Sequence, residues 1–132
     1  MVALAKDRNT VQRPGDEFDC PVAASTKIFG GAIVMLDASG NAVQGKTATG
    51  LKPGGRAEEF VDNADGAAGD KQIRIRKGVF LFENAGDIDR SDITATAYVV
   101  DDQTVSSSSS SSSRSALGTI ADVDADGVWV RI

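Results

Sequence analysis

Fourteen glycines and three prolines are spread along 132 residues, and beyond residue 15 they cut the chain into apolar runs too short for ordinary helices. What lies between them is strand-like. Gln72-Ile-Arg-Ile-Arg76 alternates strictly, so Ile73 and Ile75 are expected to face a core while Arg74 and Arg76 face water. Val79-Phe-Leu-Phe82 continues that strand, and Lys77-Gly78 reads as a bulge that swaps the faces and turns Phe80 and Phe82 inward. Thr26–Leu36 is an apolar run with two glycines in its middle, closed by the turn Asp37-Ala-Ser-Gly40. Thr94–Val100 is β-branched and aromatic and ends at Asp101-Asp102. Leu117–Val123 and Val128–Ile132 flank Asp124-Ala-Asp-Gly127, a hairpin signal with glycine where positive φ is tolerated. In the last of these strands Val128, Val130 and Ile132 share one face, and Trp129 and Arg131 take the other. Only Asp87–Asp92 reads as helical, and for a single turn. Short strands spaced by turn signals predict an all-β fold, a compact β-barrel or β-sandwich.

The organisation is one β domain over residues 16–132 behind an extended N-terminal arm, residues 1–15. The arm carries Lys6, Arg8 and Arg13 against Asp7, a net +2, and ends at Pro14-Gly15; the rest of a chain of net charge −5 therefore carries −7. It is either a frayed terminus or a segment that orders on a partner. Val2-Ala-Leu-Ala5 is too short for the apolar core of a signal peptide, and no stretch approaches the roughly 20 apolar residues that span a bilayer. The expectation is a soluble protein made in a cytoplasm. Ser106–Ser113, eight serines in a row, sits where a hairpin loop should be and reads as a flexible polar connection.

Composition removes much catalytic chemistry. With no histidine, there is no histidine general base, no Ser–His or Cys–His nucleophile pair and no histidine-ligated metal. The single cysteine, Cys20, forms no intramolecular disulfide or structural zinc site and is expected to be a buried structural thiol. Net negative charge argues against a protein that grips nucleic-acid phosphates, since that affinity comes from clustered cations.

Three motifs resemble chemistry. Gly40-Asn-Ala-Val-Gln-Gly45-Lys46-Thr47 matches a phosphate-binding loop letter for letter, and Tyr98-Val-Val-Asp101 mimics a magnesium-positioning strand. Such a loop works because a helix starting at the Lys-Thr offers its free N–H groups to the phosphate. Here Gly50, Pro53, Gly54 and Gly55 prevent that helix, so strand–turn–strand is the better reading. Asp122, Asp124, Asp126 and Gly127 match the first half of a calcium loop, but the glutamate of position 12 would fall after Ile132; a turn with solvated carboxylates is expected. Glu58-Glu59, Asp62, Asp65 and Asp70 form an acidic stretch, yet neighbours on a strand point to opposite faces, so Glu58 and Glu59 cannot pair for acid–base work. Seven scattered aromatics offer no evident sugar-stacking platform. No residue is assigned a catalytic, cofactor-binding or metal-binding role. Arg74, Arg76 and Lys77 form the one basic stripe, either an ordinary solvated face or a contact for an acidic partner.

Ala5-Lys-Asp-Arg-Asn-Thr10, Gly30–Gly40, Thr49-Gly-Leu51, Gly55-Arg-Ala57, Tyr98–Val105 and Val123–Val130 together resemble a family of small tailed-bacteriophage head proteins, the decoration or cement proteins made alongside the major capsid protein. The resemblance covers nearly the whole chain apart from the serine run, where the family's loop is of mixed composition, and it lies in turns and strand ends. It implies an all-β structural accessory protein, not an enzyme, on the capsid exterior of the virion. It also implies a self-associating protein, as a cluster or trimer, that binds the major capsid protein and bridges capsomers without contacting nucleic acid or membrane. Lys6, Arg8, Asn9 and Arg13 of the arm, with Arg74 and Arg76, are the partner-binding candidates. The alternative from another class is a small β-rich module that binds a ligand or glycan on a virion or cell surface.

Overall fold

Alternation becomes burial at Gln72–Arg76: Ile73 and Ile75 are fully buried, while Arg74 is exposed and Arg76 half-exposed. The computed structural model describes residues 2–132, whose strands are β1 (Glu17–Pro21), β2 (Thr26–Ile28), β3 (Ile33–Leu36), β4 (Ala42–Gln44), β5 (Lys52–Ala57) and β6 (Val61–Asn63). They continue with β7 (Gln72–Arg76), β8 (Val79–Asn84), β9 (Thr96–Val99), β10 (Thr104–Ser106), β11 (Ala116–Asp124) and β12 (Gly127–Arg131). One 3-10 turn, Arg90–Asp92, lies where a single helical turn is expected, and Asp89 caps it by accepting from the Ser91 N–H. Among the described residues no helix is long and apolar enough to cross a membrane.

The strands make two main sheets. β1, β7, β5, β3 and β4 pair in that order, all antiparallel. Just past β1, Val22 bridges to Ala42 of β4, and the Ala23 N–H donates to the Ala42 carbonyl at 3.0 Å, so this sheet curls back on itself. β10, β8, β12, β11 and β9 form a closed barrel in which only β8 and β10 run parallel. β2 and β6 form a two-stranded ladder. The all-β expectation holds.

Two cores result. Successive residues of β3 point to opposite faces, so Ile33 and Met35 join Phe82, Val99, Ile120 and Val130 in the barrel core. Val34 instead joins Cys20, Ile28, Val61, Ile73 and Ile75 in the second core, which the β2–β6 ladder covers.

Three local readings are corrected. Lys77-Gly78 is no bulge within one strand: β7 pairs with β1 and β5, β8 pairs with β12 and β10, and the dipeptide carries the chain from one sheet to the other. The face swap still occurs, with Phe82 buried and Phe80 half-buried against the barrel core. The Thr26–Leu36 run splits at Gly31, whose φ is +84, into strands of two different sheets. The serine run is no hairpin loop: it joins β10 to β11, which flank β9 on either side. Its first residue, Ser106, is fully buried at the end of β10, and its hydroxyl donates to Asp87 Oδ2 at 2.5 Å.

The segment Lys52–Ala57 is a strand despite Pro53, Gly54 and Gly55. A Cβ on Gly54 would collide with the Val34 carbonyl and one on Gly55 with the Arg76 carbonyl, so these glycines let the backbones of β3 and β7 close on β5.

Candidate functional site

The phosphate-loop letters fold as strand and turn. The Gly45 N–H donates to the Ile33 carbonyl at 2.8 Å, and the Thr47 hydroxyl donates to the Val100 carbonyl at 2.8 Å. A Cβ on Gly45 would lie 2.9 Å from the Asp101 carbonyl oxygen. The glycine and the hydroxyl thus serve packing between β4 and the β9–β10 turn, and no helix begins at Lys46.

The hairpin carboxylates go separate ways. Asp122 accepts from Arg90 Nη1 at 3.1 Å, across to the 3-10 turn. Asp124 accepts from the Trp129 indole at 3.0 Å and from the Asp126 N–H at 2.8 Å, and the indole bond chiefly holds its carboxyl below the usual range. Among the described residues no group of three or more Cys, Asp or Glu side chains is gathered to hold a metal ion.

The acidic stretch is only partly solvated. Asp62 and Asp70 close turns by accepting from the N–H groups of Ala64 and Ala67. Glu58 accepts from Arg56 Nη2 at 2.5 Å and lies 3.3 Å from Arg76 Nε. The Arg56 hydrogen bond leads in lowering its pKa.

The basic stripe is largely taken up within the chain. Arg74 Nε meets Asp19 Oδ1 at 3.3 Å, and Arg76 meets Asp16 at 3.1 Å and Glu17 at 2.6 Å, so both arginines tie β7 to β1 and the residue before it. Lys77 lies over the Phe18 ring at 5.9 Å. Cys20 is buried as expected; burial raises its thiol pKa, and its Sγ donates to the Gly40 carbonyl at 3.3 Å.

The arm differs in kind. Residues 2–15 form no strand and are exposed throughout, including Lys6, Arg8, Asn9 and Arg13. Among the described residues none of its cations makes an ion pair. Val2, Leu4 and Val11 are exposed as well, Val2 by 92%.

The β2–β6 ladder ends at the pair Ile28↔Val61, which leaves Phe29 and Phe60 as its next neighbours. Their rings stack 5.5 Å apart, yet both stay more than half exposed, at 57% and 53%. The signal was present in Ile28-Phe29 and Phe60-Val61, but only the cross-strand register brings the two together. Phe29 borders a shallow hollow with Gly30, Gly31, Asp102 and Gln103. Phe60 borders another with Val61, Asp62, Lys71 and Gln72, which continues to Asp65 and Asp70.

Comparison with known protein families, with curated proteins and with solved structures returned no match for this chain.

Proposed function

We propose that this chain is a structural accessory protein of a tailed-bacteriophage head, made in the host cytoplasm and bound to the outer surface of the major capsid lattice. There it bridges capsomers as a cluster or trimer. The observation that carries the reading is a closed all-β body with a separate arm whose apolar and cationic side chains all face solvent. Such an arm is suited to ordering on a neighbour, where main-chain pairing at a sheet edge gives affinity without much sequence. Several modest contacts made together bind far more tightly than one. The phosphate-loop and calcium-loop letters serve packing and turns. The resemblance to decoration proteins in turns and strand ends points the same way.

The test is co-sedimentation with expanded shells that lack the protein. Saturable pelleting at a fixed ratio to the major capsid protein is expected; absence of pelleting, together with absence from particles assembled in its presence, would overturn the reading. The stacked Phe29–Phe60 pair favours a second reading, a ligand- or glycan-binding module, because exposed aromatic faces receive apolar ligand faces. Retention on a glycan array that is lost in Phe60→Ser would shift the assignment to it.

A further inference from the structure

We infer that the Phe29–Phe60 platform and the acidic groove beside it receive the N-terminal arm of a second copy of this chain. The inference rests on the proposal that residues 2–15 act as a reaching arm, but not on what shell the protein decorates.

The two surfaces match in chemistry and in order. In an extended segment alternate residues share a face, so Val2, Leu4, Lys6 and Arg8 all project to one side: two aliphatic groups followed by two cations. The body presents the complementary series. The stacked rings of Phe29 and Phe60 come first, and the groove then runs past Asp62 to Asp65 and Asp70. Two cations interrupt it: exposed Lys27, the cross-strand partner of Asp62, and Lys71, whose Nζ donates to the Asp62 carbonyl at 2.6 Å. A chain segment of net +2 thus faces a body of net −7 whose acidic groove begins at its exposed aromatic pair.

Exposure points to a copy in trans, and the arm is long enough to reach one. Residues 2–15, fully extended, span about 46 Å, whereas a folded chain of this length has a radius of gyration of about 14 Å. The chain's own arm leaves the platform open, with Val2, Leu4, Phe29 and Phe60 all facing solvent. Burying aliphatic side chains on stacked rings is the kind of central apolar contact that dominates interface energetics, with the charged pairs steering approach. Because the arm and platform are different surfaces, the contact is head-to-tail and closes into a ring when the rotation allows.

The experiment is sedimentation velocity on full-length protein and two full-length double variants, Val2→Ser/Leu4→Ser in the arm and Phe29→Ser/Phe60→Ser in the platform. Wild type should self-associate below about 100 µM, and each double variant should do so at least roughly tenfold more weakly. Circular dichroism should stay unchanged. Mixing the two variants should restore association as a 1:1 pair, since one retains the platform and the other the arm. A monomeric wild type, a double variant that associates normally, or a mixture that fails to associate would each overturn the inference. A monomer that still pellets with shells would remove this contact and leave the capsid role standing; a ring that never pellets would do the reverse.

Discussion

Trp129 reaches back across the β11–β12 turn to Asp124, its indole N–H donating to Oδ2 at 3.0 Å. The turn is two residues, Ala125 and Asp126, between the paired Asp124 and Gly127, and the carboxylate fastens both ends of it. The folded pKa of Asp124 lies below its ordinary value, so the clamp is complete above an unfolded-state pKa of about 3.9 and weakens as pH falls through the lower folded value. Trp129 is the single tryptophan, so its fluorescence reports this bond. An acid titration should show a fluorescence step centred below about pH 3.9, absent in Asp124→Ala. A step centred above that value would contradict the clamp.

Arg76 and Arg74 share a strand face, but Arg76 meets three carboxylates, Asp16, Glu17 and Glu58, while Arg74 meets one in solvent. Exposed single pairs contribute little, and a partly shielded network more. Arg74→Ala should shift the urea midpoint almost imperceptibly, whereas Arg76→Ala should cost about 1 kcal/mol more. Equal effects would mean that the network adds nothing.

Gly118 sits where a Cβ would collide with the Arg131 carbonyl, so β11 and β12 can approach only without a side chain there. Gly118→Ala should destabilise by about 3 kcal/mol, the upper range for forced overpacking. Gly15→Ala, with open space around the position, should leave the thermal midpoint unchanged. Differential scanning calorimetry separates the two.

Cys20 is buried, and its thiol pKa is raised by that burial. Thiolate is the reactive form, so an aromatic disulfide reagent at pH 8 should label native protein roughly a hundredfold more slowly than denatured protein. Rapid native labelling would place Cys20 in an open segment instead.

Magnesium and ATP together should leave the unfolding temperature where it is, and Lys46→Ala should behave as wild type. The Thr47 hydroxyl is committed to Val100, and Gly45 is packed beneath Asp101. A ligand-dependent rise that vanishes in Lys46→Ala would reinstate the phosphate loop.

How much of this was legible depended on how local the determinants are. The Ile73/Ile75 alternation and the Val128/Val130 face follow from period-two patterning within a few residues, and both emerged as written. The strand Lys52–Ala57 was not legible, because Pro53 and two glycines signal a break, and only the approach of Val34 and Arg76 explains them. Arg76 reads as a free cation until Glu17, 59 positions away, arrives beside it. The Phe29–Phe60 platform likewise exists only once Ile28 and Val61 are in register.

The ladder between β1 and β7 sets Asp19 against Arg74, 55 positions later in the chain. During synthesis the segment that roots the arm must therefore wait, unpaired, until the isoleucine strand has been made. Closing so long a loop before any contact rewards it is slow, and folding on a millisecond-to-second scale follows. Through that interval the edge of Glu17–Pro21 is open to other chains, so crowded refolding should lose protein to aggregates first through this strand.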